Sequence, residues 1–170
     1  MIVQKETVQG NANPLFLRFI NRETGVLDIL LSFARSSHET TQEAAKKALQ
    51  TPPNLDDFRV ELEEAVREII SVGLGAEFKD FVNHYMEPSL EEVVNFKRGK
   101  FGDNRSQIAT VKDDTAPWVQ GMICYNLCLY IKAFGLESLK SCKTCNKLFA
   151  HKGQYAVYCN DKCNPKKKRK

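Results

Sequence analysis

The sequence has few long apolar runs. The stretch from Thr115 to Ile131 carries no formal charge, yet it is only 17 residues long and contains Pro117, Gln120, Gly121 and Asn126. A membrane span needs about 20 predominantly apolar residues, so a buried core helix is expected there. The opening MIVQKETVQG has no apolar segment behind a basic start, which argues against a secretory leader. A soluble, cytoplasmic protein is therefore expected. Histidine is scarce: there are three, and only His151 lies near the cysteines of the C-terminal segment. No G-x-S-x-G, no H-E-x-x-H and no phosphate-binding glycine loop occurs, so the expectation is that the chain is not an enzyme. Acid is missing from one end. From Ser138 to Lys170 there are ten Lys and Arg against Asp161 alone, a balance of +9. Residues 1 to 137 hold 15 basic and 20 acidic side chains, a balance of −5. An acidic body with a strongly basic end points to nucleic acid or another polyanion as a partner of that end, or to a solubilising tail.

What is present is ordinary globular composition, 42% hydrophobic and 27% charged, which excludes whole-chain disorder. In 170 residues this gives one medium domain, or one with a small appendage. Six cysteines fall into two sets. Cys142, Cys145, Cys159 and Cys163 read C-x2-C, thirteen residues, C-x3-C. In a reducing compartment that spacing reads as a metal site, and four thiolates suit one structural Zn2+ with no open coordination position. Cys124 and Cys128 lie four apart in the apolar WVQGMICYNLCLYI, where buried thiols act as small hydrophobes.

The pattern before residue 136 is mostly helical. LFLRFIN, Leu15 to Asn21, fits a strand or the first turn of a helix. Val26 to Arg35 has apolar residues at 26, 27, 30, 31 and 34 on one helical face. Thr40 to Glu43 matches a capping box ahead of AAKKALQ, which Thr51-Pro52-Pro53 ends. Asn54 caps a helix whose core face is Leu55, Phe58, Leu62, Ala65, Val66, Ile69 and Ile70, with Gly73 or Gly75 as its stop. Residues 76 to 85 give mixed signals, and 93 to 111 read as a β-hairpin around Gly99, Gly102, Asp103 and Asn104. The apolar helix from Thr115 to Gly135 is the expected centre of the core. A composition change at 135 to 141 divides the chain into residues 1–136 and 137–170. In the second part, NKLFAHKGQYAVYC reads as two short strands around Lys152-Gly153, and Asn160 as the cap of a final turn. The fold class is therefore α+β: a mostly helical N-terminal domain with a small hairpin, then a treble-clef-like zinc finger with four cysteine ligands.

These residues resemble a bacterial two-part family. Its mostly helical ABATE domain opens L-x-L-D-F-x-N, to which LFLRFIN is similar, and precedes a CGNR-type zinc finger, to which CKTCNKLFAHKGQYAVYCNDKC is similar. Two departures mark a divergent member. The eponymous C-G-N-R reads Cys163-Asn164-Pro165-Lys166, and Arg18 stands where the family has Asp. The resemblance implies DNA binding and transcriptional regulation. Phosphate contacts would come from Lys140, Lys143, Lys147, Lys152 and Lys162, and from the tail Lys166, Lys167, Lys168, Arg169 and Lys170. The tail, PKKKRK from Pro165, also matches a short basic import signal. The alternative is a zinc-stabilised protein-interaction module with a solubilising tail, whose N-terminal part docks a protein or a small effector.

Overall fold

A computed structural model describes residues 13–86, 115–151 and 156–166. Six helices lie among them: α1 (Leu15–Ile20), α2 (Val26–Phe33), α3 (Glu39–Gln50), α4 (Asp56–Val72), α5 (Ala76–Met86) and α6 (Thr115–Phe134). They precede a two-stranded antiparallel sheet of β1 (Leu139–Ser141) and β2 (Leu148–Ala150). The hairpin expected over 93 to 111 lies outside the described residues.

LFLRFI takes the helical alternative because four of its six residues find apolar neighbours on α4 and α6. Phe16, Leu17, Phe19 and Ile20 are buried, and Arg18 alone faces outward. Arg22, in the left-handed region at φ 59°, turns the chain out of α1. The N–H groups of Glu23 and Thr24 then both donate to the Arg18 carbonyl, at 2.8 and 3.2 Å.

In α2 the buried face differs from the expected one. Ile29 and Leu30 are buried, whereas Leu27 and Leu31 remain 54% and 46% exposed. The segment VLDILL is apolar almost all round, so periodicity could not select the face that meets α3. Its start is fixed by the Asp28 carboxylate, which accepts from the Gly25 N–H at 3.0 Å. The capping box expected from Thr40 to Glu43 would place the N-cap at Thr40, but Thr40 already lies inside α3. Helix α3 begins two residues earlier, with His38 at its N-cap position, and Gln42 Nε2 reaches back to the Ser36 carbonyl. It ends before Pro52-Pro53, as expected.

Helix α4 follows the sequence pattern closely. Asn54 Oδ1 accepts from Asp56 N at 3.0 Å, and Leu55, Phe58, Leu62, Ala65, Val66 and Ile69 are buried, with Ile70 partly so. Gly73 ends it at φ 87°, where a side chain would strain the backbone. Arg59 pairs with Asp56 at 2.6 Å, donates from Nε to the Phe19 carbonyl at 3.1 Å and covers the Phe19 ring at 4.5 Å.

Helix α6 packs against α1, α3 and α5 and is the centre of the core. Trp118, Val119, Ile123, Leu127 and Ile131 are buried, and Trp118 meets Phe33 edge-on with centroids 5.8 Å apart. Cys124 and Cys128 lie in the same core. Burial pushes the Cys124 thiol well above its ordinary range and that of Cys128 up to about 12, so both stay neutral. Gly121 is also buried, whereas Phe134 emerges at the C-terminal end, 41% exposed. Among the described residues, no helix is long and apolar enough to cross a membrane.

Candidate metal centre

Gly135, at φ 79°, turns the chain out of α6 through a single 3-10 turn, Leu136–Ser138, into β1. Strand β1 pairs with β2 in the register Leu139 to Ala150, Lys140 to Phe149 and Ser141 to Leu148. The partner of residues 148–150 is therefore upstream, which corrects the expected pairing with the segment ending at Cys159. The tight C-K-T-C-N-K loop reverses the chain, and the Lys143 N–H, donating to the Val157 carbonyl at 3.0 Å, gives it a backbone link to the downstream segment. Lys152, Gly153, Gln154 and Tyr155 lie outside the described residues.

Two bonds close the loop: Cys142 N to Lys147 O and Asn146 N to Cys142 O, both 2.9 Å. Asn146, at φ 58°, supplies the left-handed step, a conformation that Asn tolerates better than most residues. Its side-chain Oδ1 accepts from Ser141 Oγ at 2.9 Å. The second cysteine pair sits on the single 3-10 turn Asp161–Cys163. As its sequence implied, Asn160 caps this turn, its Oδ1 accepting from Cys163 N at 3.1 Å. Thr144 Oγ1 donates to the Cys163 carbonyl at 2.7 Å and ties the two turns together.

The result brings the sulfurs of Cys142, Cys145, Cys159 and Cys163 within 4.8 Å of one another, with none in a disulfide. Cys145 and Cys159 stand 3.5 Å apart, and Cys159 and Cys163 3.6 Å. Cys142 is buried at the base and Cys145 is exposed at the rim. Their acidities diverge. At Cys142 burial opposes ionisation, but the backbone N–H groups of Cys145, Cys159 and Thr144 outweigh it and bring the thiol down to about 6. Burial, then hydrogen bonding with Cys145, Cys163 and Cys142, hold the Cys159 thiol above its ordinary range. Cys163 is also raised: its bond with Cys159 favours ionisation, but desolvation and the other two sulfurs outweigh it. Four crowded sulfurs cannot all ionise without a counter-charge, and one metal cation at their centre would provide it.

This cluster is held against the helices. Leu139 and Leu148 belong to the main hydrophobic core, at 3% and 1% exposure. Arg67 of α4 binds Glu63 within its own helix and reaches across to the loop. Its Nη2 donates to the Asn146 carbonyl at 2.8 Å, and its Nη1 approaches Ser141 Oγ and Asn146 Oδ1, both at 3.3 Å. Sequence spacing offers Arg67 only a pair within its helix, so this crossing is visible in the structure alone. Asn21 Nδ2, at the end of α1, donates to the Leu148 carbonyl at 2.7 Å.

Of the basic residues singled out in the sequence, Lys143, Lys147, Lys162 and Lys166 are exposed and lie on or beside the cysteine turns. Lys140 is half-buried on β1. Lys152, Lys167, Lys168, Arg169 and Lys170 fall outside the described residues. Compared with known proteins, the chain matches no family model, no curated protein and no solved structure.

Proposed function

We propose that the chain is a zinc-stabilised nucleic-acid-binding protein, a divergent relative of the ABATE/CGNR regulators with a treble-clef-like finger. The observation that carries this reading is the convergence of four cysteine sulfurs on turns that also display exposed lysines. A tetrahedral zinc ion with Zn–S bonds of about 2.3 Å needs sulfurs about 3.8 Å apart. The 3.5 and 3.6 Å separations are close enough for small side-chain adjustments to reach it. An all-thiolate donor set favours zinc over magnesium or calcium, which prefer oxygen. With four protein ligands, the ion's role is structural.

Charge supports the second half of the proposal. Four thiolates around one divalent ion carry about −2, which draws lysines close by itself. The +9 balance of residues 138–170 still leaves a surplus of +7 after that subtraction. A surplus of this size on about 30 residues favours a polyanion, with phosphate contacts that position the protein and carry little sequence information.

The test joins metal analysis to a salt titration. Native mass spectrometry of the full chain is expected to find one zinc per chain. Affinity for a 20-base-pair DNA duplex is expected to fall steeply with salt. Removing Lys166 to Lys170 is expected to make that dependence shallower, each lost phosphate contact lowering the log–log slope by about 0.9. Duplex binding that the truncation leaves unchanged would overturn the assignment of the tail.

A further inference from the structure

A cleft of about 420 Å³ opens where α1 meets the cysteine loop. Its volume falls in the range of small-ligand sites, about 300–1,000 Å³. One wall is Arg18, Asn21 and Glu23, and the other is Lys147, Leu148 and His151, with Cys159 and Asn160 at the metal end. We propose that this cleft seats a phosphate group, with Arg18 and Lys147 as its cationic jaws. The proposal takes its preferred source of phosphate, a nucleic-acid backbone, from the function proposed above.

Three observations carry it. First, Arg18 is the only residue of α1 that is not packed into or against the core, and it lines the cleft. The guanidinium fork matches phosphate oxygens in pairs, which a lysine cannot do. Second, Lys147 is fixed at its backbone, where its carbonyl accepts from Cys142 N. Its contact with Glu23 is loose, at 4.0 Å. Away from Cys159 at the metal end, the cleft sets two cations, Arg18 and Lys147, against the one carboxylate of Glu23. Third, the walls are held by hydrogen bonds at their base. Asn21 Nδ2 binds the Leu148 carbonyl at 2.7 Å, and Asn13 Oδ1 accepts from Ala150 N at 3.2 Å. These bonds fix the backbone of one wall against the other before any ligand arrives, which lowers the ordering cost of binding. Asn160, at the metal end of the cleft, caps the turn that carries the exposed Lys162, so a phosphate seated there could belong to a strand that continues across that turn.

Glu23 gives the proposal a sign that a purely structural role would not produce. Arg18→Gln removes an attraction and Glu23→Gln removes a repulsion, so the two variants should move affinity in opposite directions. The experiment uses the full zinc-loaded chain in two arms: a fluorescein-labelled 20-base-pair duplex by anisotropy at several salt concentrations, and AMP by calorimetry. Arg18→Gln is expected to weaken duplex binding about tenfold and to lower the salt slope by about 0.9, with Arg18→Lys partly restoring both. Glu23→Gln is expected to tighten it about threefold. Wild-type duplex binding that neither variant alters would overturn the phosphate seat and leave the nucleic-acid reading standing. AMP binding that depends on Arg18, with no duplex binding, would uphold the seat and overturn the nucleic-acid reading. Binding in neither arm would overturn both.

Discussion

Removing the metal should weaken the helical body as well as the cysteine loops. The reasoning starts from β1 and β2, three residues each, which are too short to persist as an isolated pair. The cysteine turns at the ends of these strands hold them in register. Once the ion is stripped, no cation draws the four sulfurs, and the turns that carry them, together. Leu139 and Leu148, now in the main core, would lose their fixed backbone. Full burial of a leucine contributes about 1.5–3 kcal/mol, so the pair accounts for about 3–6 kcal/mol. That is a large share of the about 5–15 kcal/mol by which folded domains persist. The assay has a natural reporter. Trp118 is the single tryptophan and sits on α6 against Phe33, so its fluorescence follows the body. With a urea dependence of about 2 kcal/mol per molar, chelation should lower the Trp118 midpoint by about 1.5–3 M. Zinc added back should restore it, and Cys142→Ser should copy the chelated state. A Trp118 midpoint that chelator leaves in place would refute the coupling.

Two other outcomes follow from the thiols. In the folded, metal-loaded protein a thiol reagent should find no fast-reacting cysteine. After chelation four should react readily, while Cys124 and Cys128 wait for urea, because both are buried and neutral. Early reaction of all six, counted by absorbance, would contradict their place in the core. Metal affinity should rise with pH. Cys142 is lowered to about 6 and is ionised at neutral pH, whereas Cys159 and Cys163 are raised and hold protons that the ion must displace. Calorimetry in two buffers of different ionisation enthalpy should therefore record at least two protons released per ion near pH 7. Below about pH 6 Cys142 protonates as well, so metal loss should steepen there.

The sequence is most informative where periodicity and chemistry agree. The core face of α4 emerges from Leu55 to Ile69 because Glu and Arg mark its other side unambiguously. The four metal-site cysteines group from spacing alone, since two close pairs one loop apart have few other physical uses. Cys124 and Cys128 separate from them because an apolar helix surrounds them. Legibility fails where local pattern is degenerate. Helix α2 is apolar on nearly every side, and only contact with α3 decides that Ile29 rather than Leu27 goes inward. At α3 a capping-box spelling loses to a start two residues earlier. The partner of β2 is misread because Tyr155, Val157 and Cys159 alternate as a strand would, whereas LKS at 139–141 is too short to show any period. The Arg67 crossing has no signal at all: a contact between residues 67 and 146 depends on the assembled fold.

Asn146 illustrates how narrow the choice of residue becomes at a tight reversal. Glycine would take up the same φ freely, yet it would forfeit the amide oxygen that receives Ser141 and Arg67. Aspartate would keep an oxygen and add a negative charge beside sulfurs that are themselves anionic when metal is bound. Valine or isoleucine would bear the cost of the left-handed backbone, about 1–2 kcal/mol, and offer nothing in return. Carboxamide is the side chain that meets all three demands, so drift at this position in related chains should be slower than its solvent exposure alone would imply.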